Sequence, residues 1–149
     1  MTETPAYHLL GNIIRCKADG DRTSGAYSLA EITTAPGAGT PPHRQKDDDE
    51  AFYVIEGTYE FMHNGKTVTA EPGQFIFVAK GEPHAFRNPG SADARMLVIN
   101  SPAGLHENFF REAGDPIDVD QLMPAPSAPD MPRLGPAAAR YGIEFLPPK

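Results

Sequence analysis

The sequence predicts an all-β fold, a sandwich or barrel of short strands, and three observations carry that prediction. Apolar runs of strand length recur every eight to twelve residues with turn signals between them, which is the pattern of β sandwiches and barrels rather than of an α/β repeat. No internal repeat at solenoid period competes with it. The third observation is a polar cluster set into the apolar pattern. The stretch from Gly37 to Gly57, GAGTPPHRQKDDDEAFYVIEG, holds His43, Gln45 and Glu50. Residues two apart on a strand point to one side of the sheet, so His43 and Gln45 can aim at one point in a barrel interior. Glu50, after the polar KDDD connection, opens the next apolar run and can reach the same point. His84, inside GQFIFVAKGEPHAFRN, brings a fourth group from a distant strand.

The elements follow in order. Tyr7 to Ala18 reads as a β-rich first strand containing a helix-breaking Gly11, and ADGDRTSG after it is a turn cluster of Asp, Gly and Ser. In Gly25 to Ala35, Tyr27, Leu29 and Glu31 alternate with Ser28, Ala30 and Ile32, which suits a strand with one half-exposed face. The Gly- and Pro-rich path from Pro36 to Pro42 enforces extended geometry before His43. Ala51 to His63 reads as a hairpin folded at Glu56 and Gly57, with Asn64 and Gly65 making the next turn. QFIFVA is a short, nearly continuous apolar strand expected to be buried on both sides, and Ala94 to Asn100 is the last strong strand. Beyond Ser101 the texture changes. GLHENFFREAG places Leu105, Phe109 and Phe110 at helical spacing and stops at Gly114, a short helix. DPIDVDQLMPAPSAPDMP is a Pro-rich strap, and Leu134 to Gly142 allows one or two helical turns before the apolar run IEFL. This tail either caps the barrel mouth or bridges to a second subunit.

Composition narrows the function classes. The 149 residues fit one domain with a sizeable core, and 40% hydrophobic content excludes a disordered chain. A formal charge of −7 argues against nucleic acid and anionic membrane surfaces as partners, because both select clustered Lys and Arg. The single Cys16 cannot form an internal disulfide and reads as a small buried hydrophobe. With neither a basic, apolar leader nor an apolar run near 18 residues, the expected location is the cytoplasm of a prokaryote-like cell.

Imidazole and carboxylate are the donors that divalent Fe, Mn, Ni, Cu and Zn favour, and two histidines with one carboxylate leave positions open for O2 or substrate. The spacing also resembles the two cupin motifs. Gly37, five residues, His43, Arg44, Gln45, four residues, Glu50, six residues and Gly57 match the first. Gly73, five residues, Ala79, Lys80, Gly81, two residues, His84, three residues and Asn88 match the second. Gln45 stands where the motif has its second histidine, and Ala79 where it has proline. The resemblance covers roughly residues 25 to 102. FFREAGDP and AARYGIEFLPP resemble, more weakly, the tails of quercetinase-like single-domain cupins.

The resemblance implies a cupin double-stranded β-helix, a jelly-roll barrel with a short helical C-terminal tail. Residues 1–149 are expected to form one cupin domain, with a barrel core of about 7–102 and an extension over 103–149. It further implies one divalent transition metal ion (Fe, Mn, Ni, Cu or Zn) held by His43, Glu50 and His84, and a homodimer. Gln45 is either a weak fourth ligand or a polar group hydrogen-bonded at the barrel wall. Glu50 is expected to be catalytic as well, accepting a substrate hydroxyl proton. Phe52, Phe61 and Phe86 are candidates to line a substrate pocket, Phe86 on the side of His84. The function implied is a metal-dependent dioxygenase acting on a small aromatic or enolic substrate. An O2-independent isomerase, lyase or cyclase and a non-catalytic small-molecule-binding cupin are the alternatives. His8, His63 and His106, outside the motifs, are expected at the surface, and Asp47 to Asp49 in a solvated loop.

Overall fold

The computed structural model describes residues 5–125 and 128–147. In chain order its elements are β1 (Ala6–Leu9), β2 (Asn12–Ala18), α1 (Gly20–Thr23), β3 (Ser28–Thr34), β4 (His43–Gln45), β5 (Asp49–Glu56), β6 (Tyr59–His63), β7 (Lys66–Ala70), β8 (Phe75–Val78), β9 (His84–Arg87), β10 (Ala94–Ser101), α2 (His106–Ala113), β11 (Asp115–Ile117), α3 (Met131–Arg140) and β12 (Ile143–Phe145). They form two antiparallel sheets. One has seven strands in the order β11-β1-β2-β3-β10-β5-β8, the other five in the order β12-β4-β9-β6-β7. This is the two-sheet jelly roll expected, with the helices confined to short segments.

The core lies between the sheets. β3 buries Ser28, Ala30, Ile32 and Thr34, one side of the alternation read from the sequence. Phe52 of β5 meets Phe61 of β6 with ring centroids 4.9 Å apart, and Phe86 of β9 lies 6.1 Å from Phe52. Such offset and edge contacts add to the area each ring buries. Phe52→Ala is expected to cost about 3–5 kcal/mol in chemical denaturation, because the surrounding rings cannot collapse into the space.

Three expectations are corrected. Tyr7 to Ala18 is two strands rather than one: Leu10 and Gly11, with φ of 53° and 80°, turn β1 back onto β2. Ala51 to His63 is not a hairpin. β5 pairs with β10 and β8, whereas β6 pairs with β7 and β9 in the other sheet, so the chain crosses the sandwich at Gly57. Gly57 has φ 77°, and a Cβ there would stand 2.8 Å from that of Ala94. Sheet membership is decided by partners far along the chain, which local alternation does not encode. Third, QFIFVA is not buried on both sides: Phe75 and Phe77 face outward, because β8 is an edge strand with only its inner face on the core. The hairpin at Asn64 and Gly65 forms as expected, both residues having positive φ.

The C-terminal elements pack against the chain's own sandwich, as the capping role expects. β12 adds to the edge of β4, pairing Ile143 with Gln45 and Phe145 with His43. The α2 helix turns Phe109 and Phe110 inward, and the apolar face of α3 buries Leu134, Ala137 and Ala138. The tail therefore walls the open end of the sandwich. Cys16 is half-buried, and burial together with the nearby Glu107 and Asp19 pushes its thiol up to about 11, in keeping with an unreactive side chain. Among the described residues no helix is long and apolar enough to cross a membrane.

A candidate metal centre between the sheets

His43 and His84 face each other across the β4–β9 pair, and Glu50 is the second residue of β5 in the opposite sheet. All three are buried, and one donor atom from each lies within 4.8 Å of the others. The backbone fixes both imidazoles. Nδ1 of His43 lies 2.8 Å from the Pro41 carbonyl and Nδ1 of His84 lies 3.0 Å from the Glu82 carbonyl. A carbonyl only accepts, so each Nδ1 carries its proton and each Nε2 is turned toward Glu50. Backbone carbonyls hold metal-binding histidines in this tautomer and orientation. The Gly and Pro path before His43 supplies one of those carbonyls, and the turn before His84 the other.

Glu50 is held from several sides. Its Oε1 lies 2.9 Å from Nε2 of His84 and 3.1 Å from Nε2 of Gln45, and its Oε2 accepts from Nδ2 of Asn100 at 3.1 Å. Burial alone would raise its pKa, but the His84 bond and the neighbouring imidazoles outweigh burial and hold the carboxyl far below its ordinary range. His43 moves down to about 4 because of burial and the adjacent His84, so it is neutral near pH 7 with a free Nε2 lone pair. Burial opposes protonation of His84, yet its bond to Glu50 raises it. In this arrangement both His84 nitrogens face acceptors, which favours the protonated ring. A divalent ion among the three donors takes the place of the Nε2 proton. Metal affinity measured by competition with a chelator is therefore expected to rise about tenfold per pH unit while His84 stays protonated, a range extending above pH 6.5, and then to level off. A pH-independent affinity would show that His84 does not supply a donor.

Gln45 is fully buried beside this group. Its amide nitrogen points at Glu50 and, at 2.9 Å, at Nε2 of His106. Sequence reasoning missed His106, and its expected surface position is corrected. It is buried at the start of α2, with Nδ1 3.0 Å from Oδ2 of Asp48 and Nε2 3.7 Å from Oε2 of Glu50. Burial lowers its basicity, but the Asp48 bond and the charge of Glu50 raise it on balance. The signal was present: His106 lies three and four residues before Phe109 and Phe110, on the apolar stripe of the helix. Asp48 is a second correction. It is buried rather than solvated, two residues before Glu50, and Nδ2 of Asn100 bridges Asp48 and Glu50 at 3.0 and 3.1 Å. His8 is also buried, while His63 is half-buried beside Glu82 at 3.2 Å. Asn88, the last motif residue, has a structural role, its amide donating to Thr34 O and Ala92 O.

The site opens into a narrow cleft with an internal volume of about 60 Å³. His43, Glu50 and His106 supply polar atoms, and Phe52, Phe86, Phe109, Phe110 and Phe145 supply much of the apolar wall. Phe61 packs behind Phe52 and is not among the lining side chains. The donor set, its burial and its fixed tautomers fit a divalent Fe, Mn, Ni, Cu or Zn ion.

A cupin domain model matches residues 30–100. The chain is 34% identical over 74 residues to the tetracenomycin polyketide synthase protein TcmJ of Streptomyces glaucescens, a match covering half of each chain. It is 29% identical over 104 residues to quercetin 2,3-dioxygenase of Bacillus subtilis, covering 70% of this chain and 30% of that one. These matches thus span half of the first relative's length and under a third of the second's. The solved structure of the polyketide cyclase RemF from Streptomyces resistomycificus superposes with a TM-score of 0.56 at 28% identity, covering 68% of this chain and 70% of that chain. With the jelly roll, the paired motifs and the matched model in agreement, residues 30–100 of this chain form a cupin domain.

Proposed function

We propose that the protein is a metal-dependent cupin enzyme acting on a small aromatic substrate that carries an enolic or phenolic hydroxyl, with dioxygenolytic cleavage as the leading reaction. The observation that carries this reading is the convergence of His43, Glu50 and His84, two of which, His43 and Glu50, line a cleft walled by aromatic rings. Two histidines and one carboxylate are the donor set of mononuclear sites that keep positions open for O2 and substrate. In this reading Gln45 is a hydrogen-bond donor to Glu50 rather than a ligand. A bound divalent ion lowers the pKa of a coordinated hydroxyl and offers O2 a place beside the substrate.

The chain's own residues do the rest. Phe52 and Phe86 hold the aromatic ring edge-on above the donors, and Phe109, Phe110 and Phe145 exclude water. The hydroxyl proton passes to Oε2 of Glu50. With its carboxyl pKa held so low, Glu50 keeps that proton only transiently; the nearest further imidazole, Nε2 of His106, lies 3.7 Å from Oε2, beyond direct hydrogen-bond reach, with its Nδ1–H donated to Asp48.

A second reading is an O2-independent cyclase or isomerase that uses the ion as a Lewis acid. It is favoured by the polyketide-related names of TcmJ and RemF. Incubating metal-loaded protein with a panel of flavonols and hydroxylated polycyclic aromatics, in air and under argon, separates the readings. The leading reading predicts consumption of one O2 per substrate and no turnover under argon. Equal turnover under argon would replace it with the cyclase reading, and binding without turnover in either gas would leave a binding module.

A further inference from the structure

The cleft over the donors is smaller than any aromatic substrate. Its internal volume of about 60 Å³ falls below the ~150 Å³ of an apolar cavity that takes up benzene. The cleft continues into a second, wider groove with an internal volume of about 460 Å³. Leu10, Thr40, Pro41, Phe86 and Phe145 line both, so the two form one passage. Along β9 the step from His84, beside the donors, to Arg87, in the groove, is about 10 Å at the ordinary strand rise. One side of the groove belongs to the C-terminal extension, namely Pro129 with Met131 and Leu134 of α3. Met131 is 54% exposed and stands one helical turn before the buried Leu134, on the same side of the helix. The opposite side is backbone: Gly39 bridges to Arg87, and a Cβ on it would stand 1.9 Å from the Phe86 carbonyl oxygen, so position 39 lies flush against β9 and is held to glycine.

We propose that this groove is a second substrate subsite, built by α3, in which the substrate's hydroxyl-bearing edge enters the inner cleft while its remaining fused rings lie against Met131 and Leu134. The inference rests on the reading of the inner site as one that binds a hydroxylated ring, and it adds the residues that select the rest of the molecule. Three features select fused rings as the occupant. The first is space: whole organic ligands are enclosed by pockets of ~300–1,000 Å³, a range that the groove reaches and the inner cleft does not. The second is continuity. Phe86 and Phe145 line both cavities, so a planar ring system passes from one to the other without losing aromatic contact. The third is charge. Among the described residues lining the groove Arg87 is the one charged side chain, and its Nη2 donates to Glu60 at 2.6 Å, which leaves the groove suited to an uncharged body. Met131 is then the residue that determines specificity. Its unbranched thioether adapts to the edge of a ring and makes favourable sulfur contacts with it.

Isothermal titration calorimetry of the Zn(II)-loaded full chain under argon tests this with catechol, 2,3-dihydroxynaphthalene and 2,3-dihydroxyanthracene, which carry the same hydroxyl pair on a growing ring system. Wild type is expected to gain about tenfold in affinity with each added ring, as more apolar area is buried in the groove. Met131→Asp is expected to cut the ratio of anthracene-diol to catechol affinity at least about tenfold, because it sets a charge against the apolar rings. An aspartate in the first turn of α3 suits the helix dipole, so the fold and its circular dichroism spectrum are kept. Met131→Ala, which adds no charge, should give an intermediate loss of that ratio, and Met131→Leu should retain most of it. Equal affinities for the three compounds in wild type, or a ratio that Met131→Asp leaves unchanged, would overturn the subsite while catechol binding left the inner site standing. A gain from 4-hexylcatechol as large as that from the anthracene diol would overturn the assignment to fused rings. If none of the compounds binds, the reading of the inner site falls and the subsite falls with it.

Discussion

His43→Ala is expected to abolish stoichiometric metal binding, taking the protein from about one divalent ion per chain to less than about a tenth in equilibrium dialysis with elemental analysis. Removing a hydrogen-bond partner behind a ligand lowers metal affinity about 10–100-fold, and removing the ligand itself exceeds that range. His43 faces a carbonyl on one nitrogen and Glu50 and His84 on the other side, and the nearest spare imidazole, His106, is held in place by Asp48 and Gln45 rather than free to replace it. The fold should survive, because the lost ring lies at the floor of an open cleft rather than among the stacked phenylalanines. Unchanged metal content in a folded His43→Ala protein would remove β4 from the site.

The second large effect is expected at Asp48, a residue that is no metal donor. Asp48→Ala should destabilise the protein by about 2–3 kcal/mol, because deleting the charged acceptor of buried hydrogen bonds leaves their donors unsatisfied. Here the abandoned groups are His106 and the amide of Asn100, both buried. The loss should spread to the site: Asn100 also holds Oε2 of Glu50, and His106 accepts from Gln45, so both supports of Glu50 loosen together. Metal affinity is therefore expected to fall about 10–100-fold in Asp48→Ala. Asp48→Asn, which keeps an acceptor, should lose much less of both. Thermal melts and chelator competition on the two variants check this. Equal behaviour of the alanine and asparagine variants would show that the Asp48–His106 pair does not hold the site.

Much of the centre was legible because its members come from two short stretches with fixed spacing. His43 and Glu50 flank a single connection, a glycine turn precedes His84, and the resemblance of both stretches to the paired cupin motifs brought three donors to one point. The groups behind them were not legible in the same way. His106 comes from a helix after the last strong strand, and its relation to Gln45 exists only because α2 folds back over the open end of the sandwich. Asp48 was concealed by its neighbours in an acidic run, although its two-residue offset from Glu50 puts both on one face of the chain. The crossing at Gly57 and the exposure of Phe75 and Phe77 share one cause. Alternation reveals a strand and its faces, whereas which sheet it joins and whether an outer face is covered depend on distant partners. The contact of the tail with the sandwich was not legible because β12 joins β4 about a hundred residues earlier in the chain.

The central claim is that His43 and His84 supply two imidazoles to one ion beside Glu50. Pulsed electron paramagnetic resonance of Cu(II)-loaded protein tests it most directly, because the remote nitrogen of each coordinated imidazole modulates the echo. Two equivalent imidazoles are predicted in the wild type, falling to one in His84→Ala and remaining two in His106→Asn. A spectrum with no imidazole modulation, or one that His84→Ala leaves unchanged, would contradict the account.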